Sequence, residues 1–478
     1  MKQLIGLVLA CAVGIAPTGV FGAEPALQPR AVQADLDALY LGLQAAHYDL
    51  FAHRTRAEYD QFHKVLSERT TKPMDRLEAA ILLQRFTAFG RVGHARIDAP
   101  MTAFVRRLGE GGWFLPLLIR VDEGRVRLTA YADAEGRLAP GFELLTLNGE
   151  PIEVWMERAG VLISAERPYM THALLEQAFA PTLWLLLGEV DQAEVTGRDP
   201  EGRLVRAQVR AVTAAERRAL AARAPRLAVD FNSREFRMLD DRVGYLRPGP
   251  FGQTPGEAPD GFHRFVDESF GRLLDSGATD LILDLRNNPG GDNGFSDPMV
   301  AWFADRPFRF AASFRLRASP QAKAWYRQRL ADGGGGDDST LSALARAEAA
   351  QPDGARYDFD LPLNPPRPAP RFEGKVHVLV NRHSYSNAAS VAALIQDYGF
   401  GEIMGEETAD VPTTYASILS FTLPSGVVVT YPKSRIVRPD GDERLQGVTP
   451  DHTLAREPIA TAADIVLEQA LLRVRGRN

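Results

Sequence analysis

Cysteine is nearly absent from this 478-residue chain: Cys11 is the single instance. It falls inside residues 1–22, a stretch that reads as a removable leader. The mature chain would then have no disulfide, no thiol nucleophile and no thiolate metal site. Long apolar runs are missing too. The run at residues 4–13 is too short to span a bilayer and no later segment is long enough, so no permanent membrane span is expected. A basic surplus is also lacking, with Lys and Arg at 55 against Asp and Glu at 61 and a net charge of −6. Nucleic acid is therefore excluded as a partner. There is no phosphate-binding loop, no dinucleotide glycine fingerprint and no His/Asp/Glu cluster at metal-ligand spacing. The G-x-S-x-G elbow of the common hydrolases is missing as well. Neither a metal nor a cofactor is implied.

What remains is a globular chain, 45% hydrophobic, long enough for two or three domains. Lys2, the apolar run and Val20-Phe21-Gly22 have the layout of a secretory signal, which predicts a periplasmic or secreted protein. Cleavage after Gly22 removes Lys2 and changes the charge from −6 to −6 − 1 = −7. Lipoprotein anchoring at Cys11 is disfavoured, because the region before it is unusually short.

Residues 24–103 read as a helical domain. Val32, Leu36, Leu39 and Leu43 recur at helical spacing, and Thr55-x-x-Glu58 is a capping-box signature. It ends in Val92-Gly93-His94-Ala95-Arg96-Ile97, where glycines release the helix. Residues 104–212 read as a compact β-rich unit with an Asn148-Gly149 hairpin signal. From 213 to 478 strands alternate with helices, which argues for an α/β core. Residues 318–370, with glycines at 333–336 and prolines over 362–370, read as an inserted excursion.

The chain is organised around residues 376–397. Val376, Val378, Leu379 and Val380 predict a buried strand, and the stretch from Ala388 predicts a helix packed on the sheet. Between them Ser386 sits at a strand-to-helix turn, where the positive helix end and free N–H groups stabilise developing negative charge. Read from the residues alone, Ser386 or Asn387 is first of all a simple helix cap. Asn288-Pro289-Gly290-Gly291 follows a second buried strand, at the kind of strand end that commonly holds ligands. His94, leaving a helix, reads on its own as structural.

Taken together, DLRNNPGG at 284–291, VLVNRHSYSNAASVAALIQDYGFGEIMGEET from 378 and GVTPD at 447–451 resemble the tail-specific (C-terminal-processing) serine proteases. VGHARI at 92–97 resembles the tricorn-core and retinoid-binding-protein-like branch of that clan. PGFELLTLNGEPI at 140–152 is similar to the end of a PDZ-like module. The resemblance implies a ClpP/crotonase-like α/β protease core behind a helical domain and a PDZ-like β-rich domain. It implies Ser386 as nucleophile and His94 as general base. The oxyanion donors would be the backbone N–H of Asn387 and of Gly290 or Gly291. The serine that branch places before the histidine is Gly93 here, and Glu443 is the candidate for the orienting acid. A lysine base of the processing branch is not implied, since Val411 stands at its position. Lys433 is the only lysine after Ser386 and lies well beyond that position. The implied partner is a peptide or unfolded protein chain. A non-catalytic peptide- or lipid-binding protein on the same fold and an esterase are the alternatives. The oligomeric state is not encoded in these motifs.

Overall fold

The computed structural model describes residues 25–224, 231–333 and 339–476. The expected leader over residues 1–22, Cys11 included, lies outside the described residues.

Three helices, Pro29–Ala46, Arg56–Arg69 and Arg76–Ala88, begin the described chain. Val32, Leu36, Leu39 and Leu43 are buried as their spacing predicts. Thr55 with Glu58 and Asp75 with Glu78 close full capping boxes, each satisfying two N–H groups that a helix start would leave bare. A fourth helix, Ala99–Gly109, crosses the boundary expected at 103/104. Pro100 in its first turn favours a start there, and Phe104 stacks edge-on against Phe114 and Trp184.

The β-rich unit is an antiparallel sheet ordered Ile119–Asp122, Arg125–Leu128, Glu143–Leu147, Gln192–Arg198, Leu204–Arg210. Asn148 and Gly149 have φ of 51° and 78° and close the hairpin in which Leu147 faces Glu150. The 20-residue helix Pro168–Leu187 was not legible in the sequence. It is apolar nearly all round and carries Pro181 inside, so no amphipathic stripe marks it.

The core is a six-stranded sheet. Its order is His452–Thr453, Glu402–Gly405, Lys375–Val380, Asp280–Asp284, Val243–Arg247, Glu235–Met238, parallel except at the last pair. Every residue of Asp280–Asp284 is buried, as a continuous apolar strand between helical layers requires. A second, four-stranded antiparallel sheet joins Arg356–Asp358, Ser313–Arg317, Val428–Val437 and Thr414–Thr422. Residues 318–370 are thus not a detached excursion. They hold the helices Pro320–Ala331 and Thr340–Ala349 and supply an edge strand of that sheet. Ala322 and Tyr326 are buried, and the fully buried Glu348 accepts the Ser319 N–H at 3.0 Å. The proline tract follows the edge strand, and glycines 334–336 lie outside the described residues. Among the described residues no helix is long and apolar enough to cross a membrane.

Candidate active site

The central strand Lys375–Val380 delivers the chain into a turn that ends at Ser386, one residue before the helix Asn387–Tyr398. Ser386 has φ 53° and ψ −124°, a left-handed conformation that costs an L-residue about 1–3 kcal/mol. The surrounding bonds fix it there. The Ser386 N–H donates to the Asp410 carboxylate, and the Tyr385 N–H donates to the Asn288 carbonyl at 2.9 Å. Ser384, fully buried, accepts the Asn381 N–H at 3.1 Å and donates to the Leu285 carbonyl at 2.8 Å. Ser384 is therefore committed to the turn. The Ser386 hydroxyl makes no capping bond, so helix capping does not explain it. It lies instead 3.0 Å from His94 Nε2, across 292 residues of sequence.

His94 is seated by its neighbour's peptide. The Gly93 N–H donates to Glu166 Oε1 at 2.9 Å, and the Tyr385 hydroxyl donates to the Gly93 carbonyl at 3.1 Å. The imidazole packs on the Tyr385 ring with centroids 5.5 Å apart. Burial first, then the Arg96 charge, push its pKa down to about 4 against a small opposing effect of the Tyr415 backbone. At neutral pH the ring is uncharged and able to accept a proton. For Ser386 to donate to Nε2, the ring proton must sit on Nδ1. That nitrogen is buried without a well-formed hydrogen bond, beside the Tyr415 backbone.

Glu443 does not reach this site. It is exposed and pairs with Arg435 at 2.8 Å. It belongs to a charged surface turn in which Asp440, Asp442 and Arg444 bond to one another and to the backbone, so the assignment of Glu443 as orienting acid is corrected. Two other buried carboxyls lie at the site, and sequence reading had missed both as functional residues. Asp410 accepts the amides of Ser386 and Val411, and burial raises its pKa to about 6. Glu166 is raised to about 8 by burial and then by Asp410. The only sequence signal for Asp410 was its place after Gly405-Glu406-Glu407-Thr408. Glu166 had none, because it comes from the β-rich unit.

The loop 288–291 rests directly on the nucleophile turn. A Cβ added at Gly290, whose φ is 90°, would lie 2.7 Å from the Asn387 nitrogen, Ser386 Cβ and the Tyr385 carbonyl oxygen. Only glycine fits. Gly290→Ala should therefore lower turnover by about a hundredfold through displacement of Ser386, measured as kcat beside a melting curve. The Gly290 N–H already donates to Asn288 Oδ1 at 2.9 Å, which removes it as a free donor. Among the described residues the N–H groups of Gly291 and Asn387 have no internal acceptor. Those two remain to meet an oxyanion.

Lys433 is elsewhere. It is buried, donates to the Tyr326 hydroxyl at 2.9 Å and has its pKa lowered to about 8 by desolvation. Among the described residues no group of His, Cys, Asp and Glu could hold a metal ion.

This geometry meets an independent likeness. The sequence pattern of peptidase family S41 matches residues 242–454. That stretch is a peptidase family S41 domain. Two structures of mature CPAF, one complexed with lactacystin, share its fold at a TM-score of 0.61 and 16% identity. They cover 94% of this chain, and the match takes in 98% and 97% of theirs. The photosystem II D1 C-terminal processing protease aligns at 17% identity and a TM-score of 0.44, over 91% of this chain and 98% of that one. No curated protein sequence matches. The family match bears out the resemblance to tail-specific serine proteases at the level of peptidase family S41, and the CPAF structures share the α/β protease fold. The S41 domain is a serine-type peptidase, and it contains Ser386, Gly290, Gly291, Asn387 and Asp410. His94 comes from the turn between the helices Arg76–Ala88 and Ala99–Gly109, ahead of that domain.

Proposed function

We propose that the chain is a serine endopeptidase in which Ser386 attacks the peptide carbonyl and His94 takes its proton. The 3.0 Å contact between Ser386 Oγ and His94 Nε2 carries this reading. Proton transfer to Nε2 leaves an imidazolium that later protonates the leaving amine. The carbonyl oxygen, as it gains charge, is met by the N–H groups of Asn387 and Gly291 at the positive end of the helix Asn387–Tyr398. Peptides and unfolded chains are the substrates that a peptidase of this family implies, and the expected leader places the work in the periplasm or outside the cell.

At Val121 the edge strand Ile119–Asp122 of the β-rich unit is already engaged by side chains: its N–H donates to Glu176 at 2.8 Å and its carbonyl accepts from Arg382 at 2.8 Å. The test of the reading is a fluorophosphonate label, which should attach to Ser386 of the wild-type chain and to nothing in Ser386→Ala. Lys433→Met should turn over peptide within about threefold of wild type, because the lysine touches no reacting group. Labelling at Ser384 would overturn the assignment.

A further inference from the structure

One short segment of the β-rich unit touches three of the four strips of chain that build the site. From the stretch 164–177, Ser164 donates to the Ala95 carbonyl, and Glu166 accepts the Gly93 N–H. Arg167 binds the Glu407 carboxylate at 2.7 Å and the Ala409 carbonyl at 3.1 Å, in the strip that carries Asp410. Glu176 binds Arg382 at 2.7 Å and His383 at 3.0 Å, inside the nucleophile turn. This unit is therefore built onto the catalytic turns.

Glu166 has the most direct position. Its Oε1 takes the N–H of the residue that immediately precedes His94, and its Oε2 is buried with no partner. A side chain at position 93 would have to displace its neighbours. A Cβ there would lie 2.5 Å from Met170 Cε and 3.0 Å from Glu166 Oε2. Across the site Asp410 grips the Ser386 N–H in the same manner, so a carboxyl holds the backbone on each side of the Ser386–His94 contact.

We propose that Glu166 is a positioning residue for the general base: by accepting the Gly93 N–H it fixes the peptide that aims His94 at Ser386. The proposal rests on the reading of Ser386 and His94 as the reacting pair. It goes further in assigning the β-rich unit a part in catalysis. The groups that face Glu166 support a bond in which it is neutral. Burial raises its pKa to about 8, with Asp410 acting in the same sense and Arg167 and the Gly93 amide acting against it. A protonated carboxyl and a primary amide have the same shape and both offer a carbonyl acceptor, so glutamine is the conservative replacement.

The experiment compares Glu166→Gln, Glu166→Ala and Glu166→Leu in the full chain. Peptide kinetics and fluorophosphonate labelling of Ser386 are followed, and the His94 imidazole is titrated by NMR. Glu166→Ala and Glu166→Leu should each lose about tenfold or more in kcat and in labelling rate, with KM within about twofold. Glu166→Gln should keep both rates within about threefold of wild type. In Glu166→Ala the His94 pKa should climb from about 4 towards the ordinary value near 6.5 as the ring loses its seat. Wild-type rates and an unmoved His94 titration in Glu166→Leu would show that only volume matters and overturn the proposal. So would a Gln variant that folds yet is as slow as the Ala variant. An unlabelled wild-type chain would instead count against Ser386 as nucleophile. The histidine titration would then still report whether Glu166 seats His94.

Discussion

Ser386→Ala is expected to lower peptide hydrolysis by about a thousandfold or more, with little change in melting temperature. The activity loss follows from chemistry: the hydroxyl is the one group of the turn that faces His94 and serves no structural bond. The stability expectation follows from what that hydroxyl does not do. It makes no cap for the helix Asn387–Tyr398, so the penalty of removing a cap does not arise. What is lost is one hydrogen bond to His94, a net effect of about 0.5–1.5 kcal/mol. The backbone strain at φ 53° is shared by serine and alanine and cancels. Ser384→Ala should behave in the opposite way. It breaks two bonds at a fully buried position and should cost about 1–3 kcal/mol of stability. Calorimetry and peptide turnover on both variants separate the two serines.

The second large effect is in pH. An exposed histidine would make activity fall through pH 6.5. Burial and Arg96 move His94 to about 4, so kcat/KM should stay flat on acidification from pH 7 and fall with a midpoint near 4. The sign is fixed by the role: the neutral imidazole is the base, and protonation removes it. Stability follows a different course. Above pH 6.5 His94 is neutral both folded and unfolded and contributes nothing. Between 6.5 and 4 the unfolded chain binds a proton that the folded chain refuses, which lowers stability by up to about 3 kcal/mol. Asp410, raised to about 6, works in the opposite sense, since it holds its proton in the folded chain from 3.8 up to that value. Glu166, raised to about 8, acts in the same sense as Asp410 between 8 and 4.5, so the two carboxyls of the site offset the His94 loss over this window. A pH profile of kcat/KM beside a pH series of melting temperatures separates base titration from unfolding.

How much of this was legible in the chain depended on how local each signal was. The strand Lys375–Val380 and the helix after it were written in a buried apolar run and an unbroken helical stretch. Ser386, His94 and the loop at 288–291 could be picked out because recognisable motifs surround them, and the structure brings all three together. The helix Pro168–Leu187 was missed because a segment apolar nearly all round has no stripe to read. Residues 318–370 read as an excursion because their glycine and proline runs outweighed, in the sequence, the weaker helical signal of Pro320–Ala331 and Thr340–Ala349. Glu443 was chosen for its closeness in sequence to GVTPD, but Arg435 holds it at the surface. Glu166 carried no signal. It acts through a backbone N–H 73 residues away, and no pattern of residue types announces such a bond.

The central claim is that Ser386 is a nucleophile activated by a buried, neutral His94. Its most direct measurement is the rate of fluorophosphonate labelling as a function of pH, with the modified residue mapped by mass spectrometry. The account predicts a single label on Ser386 and a rate constant that is level from about pH 7 to pH 5 and falls with a midpoint near 4. A label on Ser384, no label on the folded chain, or a rate that falls away through pH 6.5 would contradict it.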